Sequence, residues 1–350
     1  MFPYTHGGDI LTAQAAYGGP VLDFSTNLNP LGMPPEASAA AAAADGSAYP
    51  DPLCRRLCRA IAAHDGVEEG QVLCGGGAAD LIFRLAFALR PRKALVTAPT
   101  FSEYEQALTC VGCQVERYPL VRAGCFDLEE GILAALTPGV ELVFLCTPNN
   151  PTGRLISPGL LEEIARRCGA LGARLVVDEC FLSLADGGGP GLAPRLEEFP
   201  GLFLLRAFTK SYAMAGLRLG YGLSADRELL AHLSRFAQPW SVSAPAQAAG
   251  LAALAQCPGW PERARALIAG QRPALAAGLA ELGCDVIPSQ ANYLLFRVER
   301  VTDLKDRLLS RGILIRSCAN YFGLGSDWYR VCVRGGAENR RLLAELKEVL

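Results

Sequence analysis

Short apolar runs alternate with stretches of helical spacing through the middle of the chain. The runs at residues 142–146, 175–177 and 202–205 are typical of buried strands, and residues 160–171 have the spacing of an amphipathic helix. Strands that alternate with helices favour a mainly parallel sheet covered by helices on both faces. The sequence therefore predicts an α/β fold that binds its ligands at the carboxyl ends of the strands.

Three polar residues follow these predicted strands in order: Asn150, Asp178 and Lys210. An asparagine held in a proline-rich turn can donate to a ring oxygen, and an aspartate can pair with a protonated pyridine nitrogen. A lysine withdrawn from water can attack a carbonyl cofactor, whereas a lone lysine in a polar turn is usually solvated. The two upstream motifs favour catalysis, and Thr209 and Arg218 suit a nearby phosphate.

The order of these motifs resembles that of the pyridoxal-phosphate aminotransferases of fold type I. Within that superfamily, His6-Gly7-Gly8 and residues 23–32 and 315–321 resemble the threonine-phosphate decarboxylases of cobalamin biosynthesis. The resemblance covers nearly the whole chain. It implies pyridoxal 5'-phosphate as cofactor and decarboxylation of L-threonine O-3-phosphate to (R)-1-aminopropan-2-ol O-phosphate. Histidinol-phosphate aminotransferase activity and decarboxylation of L-serine O-phosphate are the alternatives.

A triple glycine at residues 75–77 opens a predicted apolar helix. Backbone N–H groups at a helix start can bind an anion, although a triple glycine alone is more often a mobile turn. The resemblance identifies this turn as the loop that binds the cofactor phosphate, with Gly77, Ala78 and Ala79 as amide donors. The alanines replace the hydroxyl or acidic residues common in the family, so side chains contribute less here.

Aromatic residues near the ends of the predicted strands can stack on a pyridine ring. Tyr104 is our favoured stacking residue, and Phe101 is the competing candidate. Both would otherwise be core residues at the start of a helix. Phe181, shortly after Asp178, is also assigned to the cofactor site.

The first 35 residues are rich in glycine, proline and asparagine, which indicates an arm with turns. The resemblance implies that this arm reaches the substrate. Near the other end, two arginines lie in strand-like settings, and a buried arginine needs an anionic partner. The predicted substrate-binding residues are His6, Gly7, Asn27, Asn150, Arg316 and Arg334.

We predict an N-terminal arm and helix at residues 1–44, which joins the small domain and the active site. A large cofactor-binding domain follows at 45–240, and a small α/β domain at 241–350. In the related aminotransferases, the tyrosine that matches Tyr49 crosses the dimer interface to the other subunit's cofactor phosphate. The resemblance therefore implies a homodimer with shared active sites.

Composition excludes several other classes of protein. With 51% hydrophobic and 19% charged residues, the chain is typical of globular proteins, and its net charge of −2 offers no basic field for nucleic acid or an anionic membrane. The 13 cysteines are scattered and there are 3 histidines, so we expect no metal site. The absence of a signal sequence and of an apolar span of about 20 residues predicts a cytoplasmic protein.

Overall fold

The computed structural model describes residues 6–350. Its strands in chain order are β1 (Leu22–Asp23), β2 (Val72–Gly75), β3 (Lys93–Ala98), β4 (Gln114–Pro119), β5 (Leu142–Cys146), β6 (Arg174–Asp178), β7 (Leu202–Ala207), β8 (Gly220–Leu223), β9 (Asp285–Val286), β10 (Tyr293–Arg297), β11 (Ile313–Leu314), β12 (Arg316–Ser317) and β13 (Trp328–Cys332).

The helices of the same range are α1 (Ile10–Tyr17), α2 (Pro35–Ala43), α3 (Arg55–Asp65), α4 (Ala78–Leu89), α5 (Ser102–Cys110), α6 (Ile132–Ala135), α7 (Pro158–Leu171), α8 (Phe208–Ser211), α9 (Arg227–Ser234), α10 (Ala244–Gln256), α11 (Trp260–Glu281), α12 (Leu304–Leu309) and α13 (Gly336–Val349). Among these helices of residues 6–350, none combines the length and the apolar composition needed to span a bilayer.

The large domain is built on a seven-stranded sheet with the order β2-β8-β7-β6-β5-β3-β4. The strands from β3 to β7 pair in parallel, while β8 runs antiparallel to both β7 and β2. This arrangement confirms the predicted α/β fold with a mainly parallel sheet. Because the strands from β3 to β7 point the same way, the residues that follow them gather at one edge of the sheet.

Helices cover both faces of this sheet, because successive side chains of a strand point to opposite faces. One face packs into an apolar cluster that includes Val143, Leu145, Val177 and Leu204. The other packs into a second cluster that includes Leu142, Phe144, Val176 and Leu205. With both faces buried, the polar chemistry of the domain is confined to the ends of the strands.

The small domain contains a four-stranded antiparallel sheet with the order β12-β13-β10-β9. Its core also takes in side chains from α11, α12 and α13, among them Ile268, Leu308 and Leu342. The N-terminal arm joins this domain, since β1 pairs in parallel with β11 and Phe24 is fully buried in the same core. The arm is therefore held in place at the edge of the small domain.

The packing places two domain boundaries elsewhere than predicted. Helix α2, assigned with residues 1–44 to the small domain, instead buries Ala37 in the large core. Helix α10, assigned to residues 241–350, packs on α2 and α3 and buries Ala246 in that same core. Alanine-rich surfaces allow helices to approach closely, so the chain completes the large domain before α11 enters the small one.

Candidate active site

A cavity of about 560 Å³ lies where the large sheet ends and the small domain faces it. Asp178 is the last residue of β6 and lines this cavity, while Arg316 and Arg330 enter it from β12 and β13. It also brings together most of the predicted site residues: His6, Gly7, Asn27, Ala78, Ala79, Tyr104, Asn150, Phe181, Thr209, Lys210 and Arg218.

Lys210 lies in the short helix α8, directly after β7. Its ammonium is 5.3 Å from the centre of the Phe181 ring. Burial lowers the pKa of the Lys210 amine to about 8, and the positive charges of Arg330 and Arg218 act in the same direction. A substantial fraction of this amine is therefore neutral, and nucleophilic, near pH 8.

Asp178 is a buried carboxylate that two donors hold in place. The backbone N–H of Cys180 donates to Oδ1 at 2.9 Å, and the hydroxyl of Tyr104 donates to Oδ2 at 2.6 Å. Burial and the charge of Asp178 raise the pKa of Tyr104 well above its usual value, so the hydroxyl keeps its proton. The site thus contains a fixed acceptor suited to a cationic ring nitrogen.

Tyr104 does not have the free ring face that the predicted stacking role requires. Its side chain is fully buried, and its ring stacks on that of Phe144, with centroids 5.0 Å apart. Phe101 meets Tyr104 edge-on and lines the cavity with a partly exposed side chain. The geometry therefore favours Phe101 for stacking and gives Tyr104 a different contact, its hydrogen bond to Asp178.

The Asn150 side chain is oriented by residues of the small domain. Its Oδ1 accepts from Nη1 of Arg330 and from the hydroxyl of Tyr321, the latter at 3.2 Å. Because a guanidinium only donates, Oδ1 must face Arg330, and the amide N–H₂ of Asn150 points elsewhere. Asn150 lines the cavity, so this amide group can donate to a ligand, as the sequence predicts.

The predicted phosphate loop leads into the N-terminus of α4. Gly77 is the N-cap residue, with φ +93°, and a Cβ there would lie 2.7 Å from Nη2 of Arg218. Only glycine fits this position, where the guanidinium lies against the helix end. The first amides of a helix lack intrahelical acceptors, so those of Ala78 and Ala79, beside Arg218, can donate to an anion, whereas the Gly77 N–H, also predicted as a donor, bonds to the Gly75 carbonyl oxygen at 2.8 Å. Thr209 lines the same cavity.

An ion pair fixes the glycine turn. The backbone N–H of Gly76 donates to Oδ2 of Asp80 at 2.7 Å, and Nε of Arg84 donates to Oδ1 of the same carboxylate at 2.8 Å. Arg84 is buried and also donates to Ser241 Oγ at 2.9 Å. Asp80 therefore stabilises the turn, one position after the predicted amide donors.

The N-terminal arm reaches the cavity through a close backbone contact. Gly8 N–H donates to Ser25 Oγ at 2.8 Å, and a Cβ on Gly7 would lie 2.4 Å from the Ser25 carbonyl oxygen, so Gly7 has no room for a side chain. Within residues 6–350, Oδ1 of Asn27 is buried and has no hydrogen-bond partner. Since buried polar atoms are normally paired, Asn27 is suited to accept from a ligand.

Arg334, a predicted substrate-binding residue, lies outside the cavity. Its guanidinium pairs with Glu338 at 2.6 Å and donates to the Asp23 carbonyl oxygen at 3.1 Å. Arg330 occupies the cavity instead, buried in the middle of β13, and no atom of the described part of the chain accepts a hydrogen bond from its Nε. We therefore replace Arg334 by Arg330 among the candidate ligand-binding residues.

Tyr49 does not line the cavity of its own chain. It lies before α3 with 78% of its surface exposed, and its ring stacks on that of Trp240 with centroids 4.1 Å apart. Leu53 nearby is 66% exposed. The resemblance to the related aminotransferases implies that Tyr49, within this exposed apolar surface, contacts a second subunit.

Comparison with known proteins assigns the chain to a family. Threonine-phosphate decarboxylase of Salmonella typhimurium is 42% identical, with 100% of this chain and 98% of that protein covered. Histidinol-phosphate aminotransferase of Nitratidesulfovibrio vulgaris is 36% identical, covering 99% and 94%. The crystal structure of histidinol-phosphate aminotransferase from Clostridium acetobutylicum, 27% identical, matches with a TM-score of 0.85 over 94% of this chain and 99% of that one. Residues 19–346 match the family aminotransferase class I and II, and the chain belongs to this family, with the predicted fold type I architecture.

Proposed function

We propose that the protein is a pyridoxal-phosphate enzyme that decarboxylates L-threonine O-3-phosphate in the cytoplasm. Its products are CO₂ and (R)-1-aminopropan-2-ol O-phosphate, which serves cobalamin biosynthesis. The observation that carries this choice is the 42% identity to a threonine-phosphate decarboxylase across the whole chain. The 36% identity to a histidinol-phosphate aminotransferase makes transamination the second candidate.

The cavity fits the proposed cofactor at each of its polar groups. The backbone amides at the start of α4 and the guanidinium of Arg218 would hold the phosphate. The guanidinium lies close to this helix end, since a Cβ built on Gly77 would be 2.7 Å from it. Asp178, fixed by two donors, would pair with the ring nitrogen, and Lys210 would join the carbonyl carbon. These are the groups that such a cofactor needs from a protein.

The bound cofactor supplies an electron sink for the bond that breaks at the substrate's Cα. The residues of the chain hold the groups that would contact the cofactor, and one of them can transfer the proton. The hydroxyl of Tyr104 and the N–H of Cys180 hold Asp178 in place by donating to its carboxylate. The oxygen of Asn150 accepts from Arg330 and Tyr321, so its amide N–H₂ can donate to the cofactor. With a pKa near 8, Lys210 Nζ can return a proton to the carbon that loses CO₂.

Substrate orientation decides which bond breaks. The bound cofactor would activate the Cα bond that the protein aligns with its electron sink, so residues that align the carboxylate would give decarboxylation and residues that align the hydrogen would give transamination. His6, Asn27 and Arg316 line the cavity; His6 and Arg316 would hold the substrate's phosphate, and Asn27 would accept from a donor group of the substrate. Each charged contact contributes about 1.5–3 kcal/mol, which is ample to select one rotamer.

The class of reaction can be tested with two substrates. We expect L-threonine O-3-phosphate to give one CO₂ and one amino-alcohol phosphate without a 2-oxoacid, and histidinol phosphate with 2-oxoglutarate to give little glutamate. CO₂ release and acceptor consumption are measured side by side. L-serine O-phosphate, one methyl smaller, should react about 10-fold to 200-fold less efficiently. Equal efficiency of glutamate formation from histidinol phosphate would refute the decarboxylase assignment.

We also propose that the active enzyme is a homodimer in which Tyr49 serves the neighbouring site. The stacked Tyr49 and Trp240 rings, 78% and 42% exposed, support an interface at this surface. An exposed tyrosine keeps its hydroxyl available to a phosphate on the partner. The start of α4 offers alanines rather than hydroxyl side chains, so an added donor from a second chain would complete that site.

Mixing of subunits tests the shared site. Tyr49→Phe removes one hydroxyl donor to a charged group and should lower activity by about 10-fold or more. In a hybrid dimer of one Tyr49→Phe subunit and one inactive Lys210→Ala subunit, one of the two sites has Lys210 from the first subunit and Tyr49 from the second. Mixing the two variants should therefore give more activity than the sum of the separate variants. Sedimentation should give twice the 37.2 kDa chain mass. An unchanged activity after subunit exchange would place Tyr49 outside the partner's site.

A further inference from the structure

Two arginines of neighbouring strands line the cavity side by side. Arg316 of β12 and Arg330 of β13 are directly opposite each other in the antiparallel pairing of these strands, and both are buried. Directly opposed residues share one face of a sheet, and like charges at such positions repel. Within residues 6–350, neither guanidinium forms a salt bridge with a carboxylate. Their charges are therefore left for an anionic ligand.

Neutral amide oxygens hold the two guanidinium groups instead. Nη1 of Arg330 donates to Oδ1 of Asn150, and Nη2 of Arg316 donates to Oδ1 of Asn320 at 2.7 Å. A neutral oxygen orients a guanidinium, which can only donate, without compensating its charge. A carboxylate in the same place would form an ion pair and compete with an anionic ligand. The amide of Asn320 therefore suits an arginine that must keep its charge for a ligand.

Asn320 lies on a turn that follows β12 and is itself outside the active-site cavity. The backbone N–H groups of Cys318, Tyr321 and Leu324 donate to the carbonyl oxygens of Trp328, Cys318 and Tyr321, at 2.8, 3.0 and 3.1 Å, and these bonds fix the turn. Asn320 lines a neighbouring cavity of about 700 Å³. It can therefore act on a ligand of the active-site cavity only through the arginine that it contacts.

We propose that Asn320 is a positioning residue that holds the guanidinium of Arg316 ready for the phosphate of the substrate. It thereby contributes to selectivity for phosphorylated amino acids. This inference rests on the proposed function, because it takes the ligand to be a phosphorylated amino acid and assigns the phosphate of that ligand to Arg316.

The length of the arginine side chain explains why it needs a positioning residue. Arginine loses much rotamer freedom when it is ordered, and a contact that already holds it in the free enzyme spares the ligand that loss. Glu103 lies within electrostatic reach of Arg316, so an unrestrained guanidinium could pair with that carboxylate instead. The hydrogen bond to Asn320 opposes this competing ion pair and keeps the guanidinium in one orientation.

Asn320→Ala in the cofactor-loaded enzyme tests the proposal, because it removes the acceptor from an exposed side chain. We expect the KM for L-threonine O-3-phosphate and the Ki of inorganic phosphate each to rise by about 10-fold, a larger change than any fall in kcat. The Ki of L-threonine, measured as an inhibitor, should change by less than about twofold, because this amino acid has no phosphate for Arg316 to bind.

Two further variants separate positioning from a disturbed turn. Asn320→Leu has a similar volume and no acceptor, so it should reproduce the rise in KM and Ki even if the alanine variant folds poorly. Phe322→Leu is the matched control, since Phe322 is 59% exposed on the same turn, and its ring lies 4.4 Å from the guanidinium carbon of Arg117, outside the active-site cavity. Its kinetic constants should equal those of the unmodified enzyme.

A double variant decides whether Asn320 acts through Arg316. Arg316→Met should raise the KM and the Ki of phosphate by itself, and adding Asn320→Ala to it should produce no further increase. Additive effects of the two substitutions would overturn the proposed positioning. An equal rise of the Ki values of phosphate and L-threonine would overturn the role in phosphate selectivity.

The proposed function and the role of Asn320 fail in different ways. If the unmodified enzyme does not convert L-threonine O-3-phosphate, the proposed function is overturned. If conversion is normal and Asn320→Ala leaves the KM and the Ki of phosphate unchanged, only the role of Asn320 is overturned.

Discussion

Replacement of Lys210 by alanine should abolish activity and the covalent attachment of the cofactor together. Lys210 follows β7 directly, lines the cavity, and has its pKa lowered to about 8 by burial and two arginines. Its loss removes both the nucleophile that joins the cofactor and the proposed acid–base group. A single acid–base group contributes about 10²–10⁴-fold to a rate, so the fall in kcat should be at least of that size.

Visible absorbance and borohydride reduction measure the attachment. Reduction of the unmodified protein should fix the cofactor to the peptide that contains Lys210, and Lys210→Ala should give no such adduct. Lys347→Ala, on the exposed side of α13, is the matched control and should behave as the unmodified protein. A reducible adduct on another lysine of the Lys210 variant would contradict the assignment.

The same amine sets the pH dependence of attachment. The neutral form of Lys210 is the nucleophile, and it predominates above the pKa of about 8. Loading of the cofactor-free protein should therefore accelerate as the pH rises from 7 to 9. An ordinary exposed lysine, with a pKa of about 10.4, would still be accelerating well above pH 9.

The sequence predicts those parts of the site that follow directly from strand ends. Asn150 and Lys210 come shortly after a buried strand and Asp178 ends one, and parallel pairing brings such positions to one edge. The apolar runs are unambiguous because both sheet faces are buried. Strand pattern and motif order therefore suffice to place these three residues in one cavity.

Only the three-dimensional structure shows that Arg330, rather than Arg334, lines the cavity. A period of two places both residues on the same face of a strand, so the pattern cannot distinguish them. The strand β13 ends at Cys332, so Arg334 lies beyond it, where its guanidinium pairs with Glu338. Arg330 is opposite Leu295 in the middle of the sheet and has no carboxylate partner there among the described residues.

Tyr104 and α10 show a second kind of limit, because their positions depend on distant partners. The ring of Tyr104 is covered by Phe144, which lies 40 positions further along the chain, and this contact leaves Phe101 for the ligand. The alanine-rich α10 could pack on any smooth surface. Its contacts with α2 and α3 are set by tertiary structure, which local sequence does not encode.

Asp178→Asn should retain the cofactor but lower kcat by about 10²-fold or more. The carboxylate is buried and holds two hydrogen bonds, so it would keep a ring nitrogen protonated and make the cofactor a strong electron sink. Loss of one charge-assisted hydrogen bond costs about 1.5–3 kcal/mol, and each 1.36 kcal/mol is tenfold in rate. The loss of the sink adds to that direct cost.

The hydrogen bonds around Asp178 make this substitution a test of charge rather than of folding. Asparagine can still accept from the Cys180 N–H through Oδ1, and its Nδ2 can donate to Tyr104, whose hydroxyl can turn to accept. Tyr104→Phe is the matched control, since it removes that hydroxyl and keeps the charge, and we expect it to lower kcat by only about tenfold. With cofactor occupancy verified by absorbance, a near-normal kcat in Asp178→Asn would mean that another group keeps the ring nitrogen charged.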